Sequence, residues 1–151
     1  MLHFLTFFIA MIFIAGCTST DLQSRQTSPL HIKVGACMAA ANSADWIALE
    51  VPSSKSGISN KIAAATVKMG GSNTVDALVK VLSQSTRPAL AVVGESDELT
   101  AATLLAALDK LTPLPSRSKK PICFVGDASY AKQLKPMAES AGFPLYVVPH
   151  D

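Results

Sequence analysis

From Leu30 to its end, the chain alternates short apolar runs with stretches of helical periodicity, and this pattern constrains the fold most strongly. The alternation is typical of parallel strands joined by crossover helices, because helices then cover both faces of the sheet. Four apolar runs are predicted as strands, at residues 31–38, 89–95, 121–125 and 145–148.

Three segments are predicted as helices, at residues 73–84, 97–111 and 129–141. In the first, apolar side chains recur at i, i+3, i+4 and i+7, as on one face of a helix. Ser96 or Asp97 is placed to cap the second helix, and Gly142 to end the third.

The segment 42–69 has two interpretations. Either residues 45–50 form a short helix and 62–69 a strand, or 46–51 form the strand and 59–69 the helix. The Gly-Gly-Ser sequence after Met69 resembles the other strand ends and favours the first interpretation. The prediction is therefore an α/β fold with a three-layer, doubly wound, mostly parallel sheet of about five strands, which resembles flavodoxin-like or Rossmann-like folds.

The N-terminal apolar run at residues 4–15 is shorter than the roughly 20 residues that a membrane-spanning helix needs. It closes with Ile14, Ala15, Gly16 and Cys17, a sequence that resembles the lipobox of bacterial lipoproteins. The resemblance implies that diacylglycerol is attached to Cys17 and that the chain is cut before it. Residues 1–16 would then be a signal peptide, 17–29 a flexible tether and 30–151 a single α/β domain. Thr18, following the cysteine, points to the outer membrane rather than to the inner membrane.

Loops that follow the predicted strands carry acidic and hydroxyl side chains. In doubly wound sheets, ligands bind in a crevice at the carboxyl ends of the strands. The candidate ligand-binding residues at this edge are Glu95, Ser96, Asp97, Asp127, Ser129 and His150. The same residue types also cap helices, and the Gly-x-Ser-x-Gly pattern of a nucleophile elbow is missing. We therefore assign no catalytic residue, and without a Cys-x-x-Cys pair or a histidine cluster we expect neither a metal nor a cofactor.

The stretch from Ser54 to Ser59 reads Ser-Lys-Ser-Gly-Ile-Ser and resembles the phosphate loop of flavodoxins. That loop follows the first strand of its fold, so the resemblance requires residues 46–51 to be that strand. Hydroxyls and free backbone N–H groups ahead of a helix would suit a phosphate.

Two cysteines, Cys37 and Cys123, remain after acylation of Cys17. An exported domain permits a disulfide between them. Both fall in apolar runs, where free cysteine is a common core residue, so that buried thiols are favoured.

The formal net charge of +2 is too small to indicate a nucleic-acid partner. The function expected is that of a lipid-anchored accessory lipoprotein, on the periplasmic face of the bacterial outer membrane, that docks onto another envelope protein. The alternatives are a small-ligand binder or hydrolase that uses the acidic strand ends, and an immunity-type lipoprotein.

Charge also predicts an orientation. Loops that lead into the strands are expected to place basic side chains at the edge opposite the acidic one, where the tether would enter. This basic edge would face the membrane; its residues are Lys33, Arg87, Arg117, Lys119 and Lys120.

Overall fold

The structure is a computed structural model that describes residues 29–43, 45–84, 88–112 and 120–149. A short 3-10 helix, Ala128–Tyr130, precedes the last helix. The strands are β1 (Trp46–Val51), β2 (Ala89–Gly94), β3 (Ile122–Val125) and β4 (Leu145–Val148). The helices are α1 (Pro29–Ala41), α2 (Gly57–Gly70), α3 (Asn73–Ser83), α4 (Asp97–Leu111) and α5 (Ala131–Ser140).

The four strands form one parallel sheet in the order β1-β2-β3-β4. Every residue of the central strands β2 and β3 is buried, as expected when helices cover both faces of a sheet. The predicted α/β class with a parallel three-layer sheet is confirmed, and the layout is consistent with flavodoxin-like or Rossmann-like folds. The described residues form four strands, one fewer than the five expected.

Alternation along the central strands sends side chains to two separate cores. Leu90, Val92 and Phe124 point to the layer of α2, α3, α4 and α5, whereas Ala91 and Cys123 point to α1. Helix α4 is the centre of the larger layer, because it contacts α2, α3 and α5 as well as the sheet.

The predicted helices at 73–84 and 97–111 are confirmed. Leu78 of α3 is fully buried, and Ser96 caps α4. Leu105, on the same helix, is only partly buried and lies at the junction of α4 with its neighbours rather than in the centre of the core.

The prediction of a strand at residues 31–38 is wrong, because this segment belongs to helix α1. Pro29 occupies the first helical position, where its missing N–H costs nothing, and the alanines at the other end favour a helix. Asn42 ends the helix in the left-handed conformation with φ 47°. Of residues 31–38 only Cys37 is buried, so the apolar run indicated neither the element type nor a buried segment.

The favoured interpretation of residues 42–69 is also wrong. Residues 46–51 form β1, and the following segment is the helix α2. The Gly-Gly-Ser sequence separates two helices: Gly71 has φ 84° and its N–H bonds to the carbonyl of Val67, while the Ser72 hydroxyl accepts from the N–H of Val75. The Gly-Gly-Ser sequence therefore ends helix α2 and begins helix α3, and does not end a strand.

Cys37 and Cys123 form a disulfide, with their Cα atoms 5.8 Å apart, so the preference for free thiols is wrong. The bond joins α1 to the central strand β3 across 86 residues of sequence. Loop closure on this scale removes chain entropy from the unfolded state worth about 4 kcal/mol.

Glycine ends β2 for a steric reason. A Cβ on Gly94 would overlap the Thr100 hydroxyl oxygen and approach the carbonyl of Val51 to 3.2 Å. That hydroxyl is fixed because it donates to the carbonyl of Ser96 in the first turn of α4. Helix α4 therefore packs closely on the strand end only if residue 94 lacks a side chain.

We expect Gly94→Ala to destabilise the domain by about 1–3 kcal/mol, because the new methyl group forces the strand end and α4 apart. Gly35→Ala is the control: nothing lies within 4 Å of a Cβ there, and alanine within α1 should stabilise by about 0.5–1 kcal/mol. Urea denaturation measures both. Thr100→Ala combined with Gly94→Ala should cost less than the sum of the two single changes, and strict additivity would contradict this steric account.

Candidate functional site

The strands end at Val51, Gly94, Val125 and Val148 on the same edge of the sheet, which we call the carboxyl edge. The crevice of a doubly wound sheet opens where the strand order reverses. The order here follows the chain without a reversal. The candidate residues therefore lie along an edge rather than around a switch-point crevice.

Ser96 and Asp97 bind backbone groups around the first turn of α4. The Ser96 hydroxyl accepts a hydrogen bond of 3.4 Å from the N–H of Leu99 and is the helix N-cap. Asp97 uses Oδ2 to accept a bond of 2.8 Å from the N–H of Asp127, which joins the ends of β2 and β3. Both side chains thus satisfy N–H groups that would otherwise lack a partner.

Asp127 caps the 3-10 helix that follows β3. Its Oδ1 accepts a bond of 2.7 Å from the N–H of Ser129. This backbone donor, together with the Ser129 hydroxyl, stabilises the charged carboxylate and lowers the pKa of Asp127 below its ordinary 3.8. Asp97, Asp127 and Ser129 are therefore brought together as one hydrogen-bonded group.

Glu95 points to the other side, towards β1. Its Oε2 accepts a bond of 3.5 Å from the Ser53 hydroxyl. Glu95, Glu50, Pro52 and Ser53 line an open depression of about 450 Å³. The acidic edge consequently divides into two parts, one between β1 and β2 and one between β2 and β3.

Sequence reasoning did not include two residues that belong to this edge. The Lys33 ammonium donates to the carbonyl of Gly94 and brings a positive charge to the acidic edge. Tyr130 packs edge-on against Phe124, with ring centroids 6.1 Å apart. Burial, and then the charges of Glu98, Asp97 and Asp127, raise the pKa of Tyr130, so the phenol stays protonated at neutral pH.

The hydrogen bonds of Asp97, Asp127 and Ser129 fix the ends of the strands and the starts of the helices. This structural role is the one that their contacts show. His150 lies outside the described residues. Within those residues, no three His, Cys, Asp or Glu side chains are arranged to hold a metal ion.

The segment that resembles a phosphate loop does follow β1 and does precede a helix, as the resemblance requires. Its N–H groups, however, are used by its own side chains. Asn60 Oδ1 accepts from the N–H of Ser54 at 2.7 Å, and the Ser54 and Ser56 hydroxyls accept from Ser56 and Ser59. Three of the N–H groups in this segment are therefore already engaged and are not open to a phosphate.

The predicted basic edge does not form as expected. Lys33 lies at the carboxyl edge, and Lys120 is buried, with its ammonium donating to the carbonyls of Val81 and Gln84 at the end of α3. The other three predicted members, Arg87, Arg117 and Lys119, lie outside the described residues. Neither described lysine supports a basic edge that faces a membrane.

A second surface is apolar. Between the end of α2 and the helices α4 and α5 runs an open groove of about 390 Å³. Its lining is mostly small or apolar and includes Met69, Ala102, Leu105, Ala106, Asp109 and Met137. Such a groove can receive an apolar side chain of a partner.

Comparison of the chain with protein-family models, with curated proteins and with solved structures found no match. Across the described ranges, no helix combines the length and the hydrophobicity that would let it cross a membrane.

The lowered pKa of Asp127 predicts a dependence of stability on pH. A carboxylate whose folded pKa is depressed stabilises the domain above its unfolded pKa, and this contribution is lost as the pH falls through the folded value. Asp127→Asn keeps an oxygen for the Ser129 N–H but has no charge, so we expect its stability deficit at neutral pH to shrink below about pH 4. Urea midpoints measured across that range test this. Ser129→Ala keeps the backbone donor and should retain most of the pH-dependent stabilisation by Asp127. If the stability deficit of Asp127→Asn did not change with pH, the charge of Asp127 would not be involved.

Proposed function

We propose that this chain is a lipid-anchored accessory protein of the bacterial cell envelope, attached through Cys17 to the periplasmic face of the outer membrane. Its folded domain docks onto another envelope protein. The observation that carries the proposal is the disulfide between Cys37 and Cys123. Structural disulfides form and persist in exported proteins and are rare in the cytosol. The lipobox resemblance implies the same oxidising compartment.

The position of the disulfide also suits an anchored domain. Helix α1 is the first described element after the tether, so any pull from the anchor reaches the domain through α1. One face of the sheet depends on this helix for its cover. A covalent bond from α1 to β3 keeps the anchor and the sheet connected when weaker contacts open.

The groove between α2, α4 and α5 is the surface we assign to the docking partner. It offers Leu105, Ala106 and Met137, all partly exposed, with Asp109 at its rim. An apolar floor with a polar rim is the usual anatomy of a protein interface. The alternative of a ligand binder or hydrolase has less support, because Ser96, Asp97 and Asp127 already cap backbone groups at the carboxyl edge.

Acylation of Cys17 is tested by labelling cells with a fatty-acid analogue. Cys17→Ser should lose the label and accumulate as an uncut precursor, because the thiol is the atom that receives the lipid. Cys123→Ser is the matched control, since it removes the disulfide and should retain the label. Equal labelling of the Cys17→Ser protein would contradict the anchor and, with it, the proposed location.

Docking is tested by purifying the chain with its bound proteins from detergent extracts. Ala106→Glu puts a carboxylate into the groove and should release a partner that the unchanged chain retains, since burying an unpaired charge is costly. Gln133→Glu makes a comparable change on the exposed side of α5 and should retain the partner. Thermal melts confirm that both variants fold. Loss of the partner with Gln133→Glu, or its retention with Ala106→Glu, would place the interface elsewhere.

A further inference from the structure

Helix α2 carries a line of exposed apolar side chains on its outward face. Ile58, Ile62 and Met69 are 74%, 63% and 82% exposed, and Ala65 is exposed between them. Their spacing of four, three and four residues keeps them on one line along a helix of 3.6 residues per turn. We call these four residues the α2 stripe.

The α2 stripe is not part of the core. The buried residues of this helix, Ala64 and Val67, lie on the opposite side and pack against the layer below. Single exposed hydrophobic residues are ordinary, but a continuous set along one helix marks a surface that contacts something apolar.

Within α2 and the loops beside it the charge is of one sign, and the nearby carboxylate of Asp109 belongs to α4. Lys61 and Lys68 fall along one flank of the helix, and Lys55 lies in the loop before it. No Asp or Glu occurs between Glu50 and Asp76. An apolar line bordered by lysines is the pattern of a helix that lies in the interface of an anionic membrane.

A second copy of this chain fits the surface less well. A twofold contact through the stripe would double the lysines along it and add no carboxylate from this segment to balance them. A bilayer with anionic headgroups supplies both the acyl chains for the isoleucines and the negative charge for the lysines.

The position of the tether allows this contact. Helix α1 joins β1 through a short connection, and Lys33 reaches the end of β2, so the start of α1 lies at the carboxyl edge. Helix α2 starts at the same edge, just after β1 ends. Helices α1 and α2 lie on opposite sides of the sheet. The residues between Cys17 and Pro29 span up to about 40 Å when extended, enough to pass two layer spacings of roughly 10 Å each.

We propose that the α2 stripe is a second membrane contact, which lays the domain on an anionic phospholipid surface. The stripe inserts among the upper acyl chains, and Lys61 and Lys68 meet the phosphates. This inference rests on the proposed anchor, because a lipid at Cys17 would hold the domain near the bilayer and strengthen a contact that the stripe also makes without it. Contact through α2 occupies Lys68 and Met69 at one side of the groove and leaves the groove residues of α4 and α5 for a protein partner.

The test uses the chain from Thr18 onward, which lacks the anchor and keeps every described element. Sedimentation with vesicles of phosphatidylglycerol and phosphatidylcholine should show binding at low salt, and vesicles of phosphatidylcholine alone should bind far less. Ile62→Glu should weaken binding by roughly tenfold, because it replaces an apolar contact with a charge. Changing Lys61 and Lys68 to Gln should lower the affinity for anionic vesicles by roughly fivefold for each lysine.

Ile32→Glu is the matched control, since Ile32 lies on α1 and is 62% exposed, almost as much as Ile62. It should bind like the unchanged chain. The proposal fails if the unchanged chain does not bind anionic vesicles at low salt, or if Ile32→Glu weakens binding as much as Ile62→Glu. It also fails if the chain is a dimer in solution that Ile62→Glu dissociates, because the stripe then belongs to a second copy. The chain in this test carries no lipid, so a negative result bears only on the α2 stripe. The labelling of Cys17 tests the anchor independently.

Discussion

The structure depends on how the second face of the central strands is covered. Among the described elements, four helices cover one face of the sheet, but the side chains of Ala91, Val93 and Cys123 on the other face are covered by helix α1. Exposing these strands would uncover apolar surface worth about 25 cal/mol for each Å². The Cys37–Cys123 disulfide fixes the covering helix to the middle of the sheet, which explains why one helix of 13 residues is enough.

A second constraint operates at the carboxyl edge, where helices begin directly after strands. Gly94 and Gly126 let these turns be tight: a Cβ at Gly126 would meet the Phe124 ring at 2.6 Å. Each turn leaves helix N–H groups without partners, and Ser96, Asp97 and Asp127 accept from three N–H groups at these turns. The acidic character of this edge is thus explained by backbone hydrogen bonding and by the positive ends of the helices. An acidic edge of this kind is not, by itself, a sign of a ligand.

Sequence periodicity correctly predicted the elements that have one buried side and one side exposed to water. Residues 73–83 have a buried side and a polar side, so their helix was found with nearly correct ends. Helix α1 was missed because nearly all its residues are apolar, and an apolar run has no period that separates a helix from a strand. The pairing of Cys37 with Cys123 could not be predicted either, because it requires α1 to lie across β3. The predicted position of Lys33 was wrong for the same reason. A strand would have placed this lysine at the opposite edge, whereas helix α1 runs antiparallel to the strands and places it at the carboxyl edge.

Helix α2 was misassigned for a different reason, because the Gly-Gly-Ser sequence that follows it resembles a strand end. Its apolar residues lie on two opposite sides, with Ala64 and Val67 facing the core and Ile58, Ile62 and Met69 facing outward. Folding accounts for the first set, because burial stabilises the helix against the sheet. It does not account for the second set, since large apolar side chains exposed to water add nothing to the stability of the isolated domain. The outward set therefore indicates a contact beyond the domain itself.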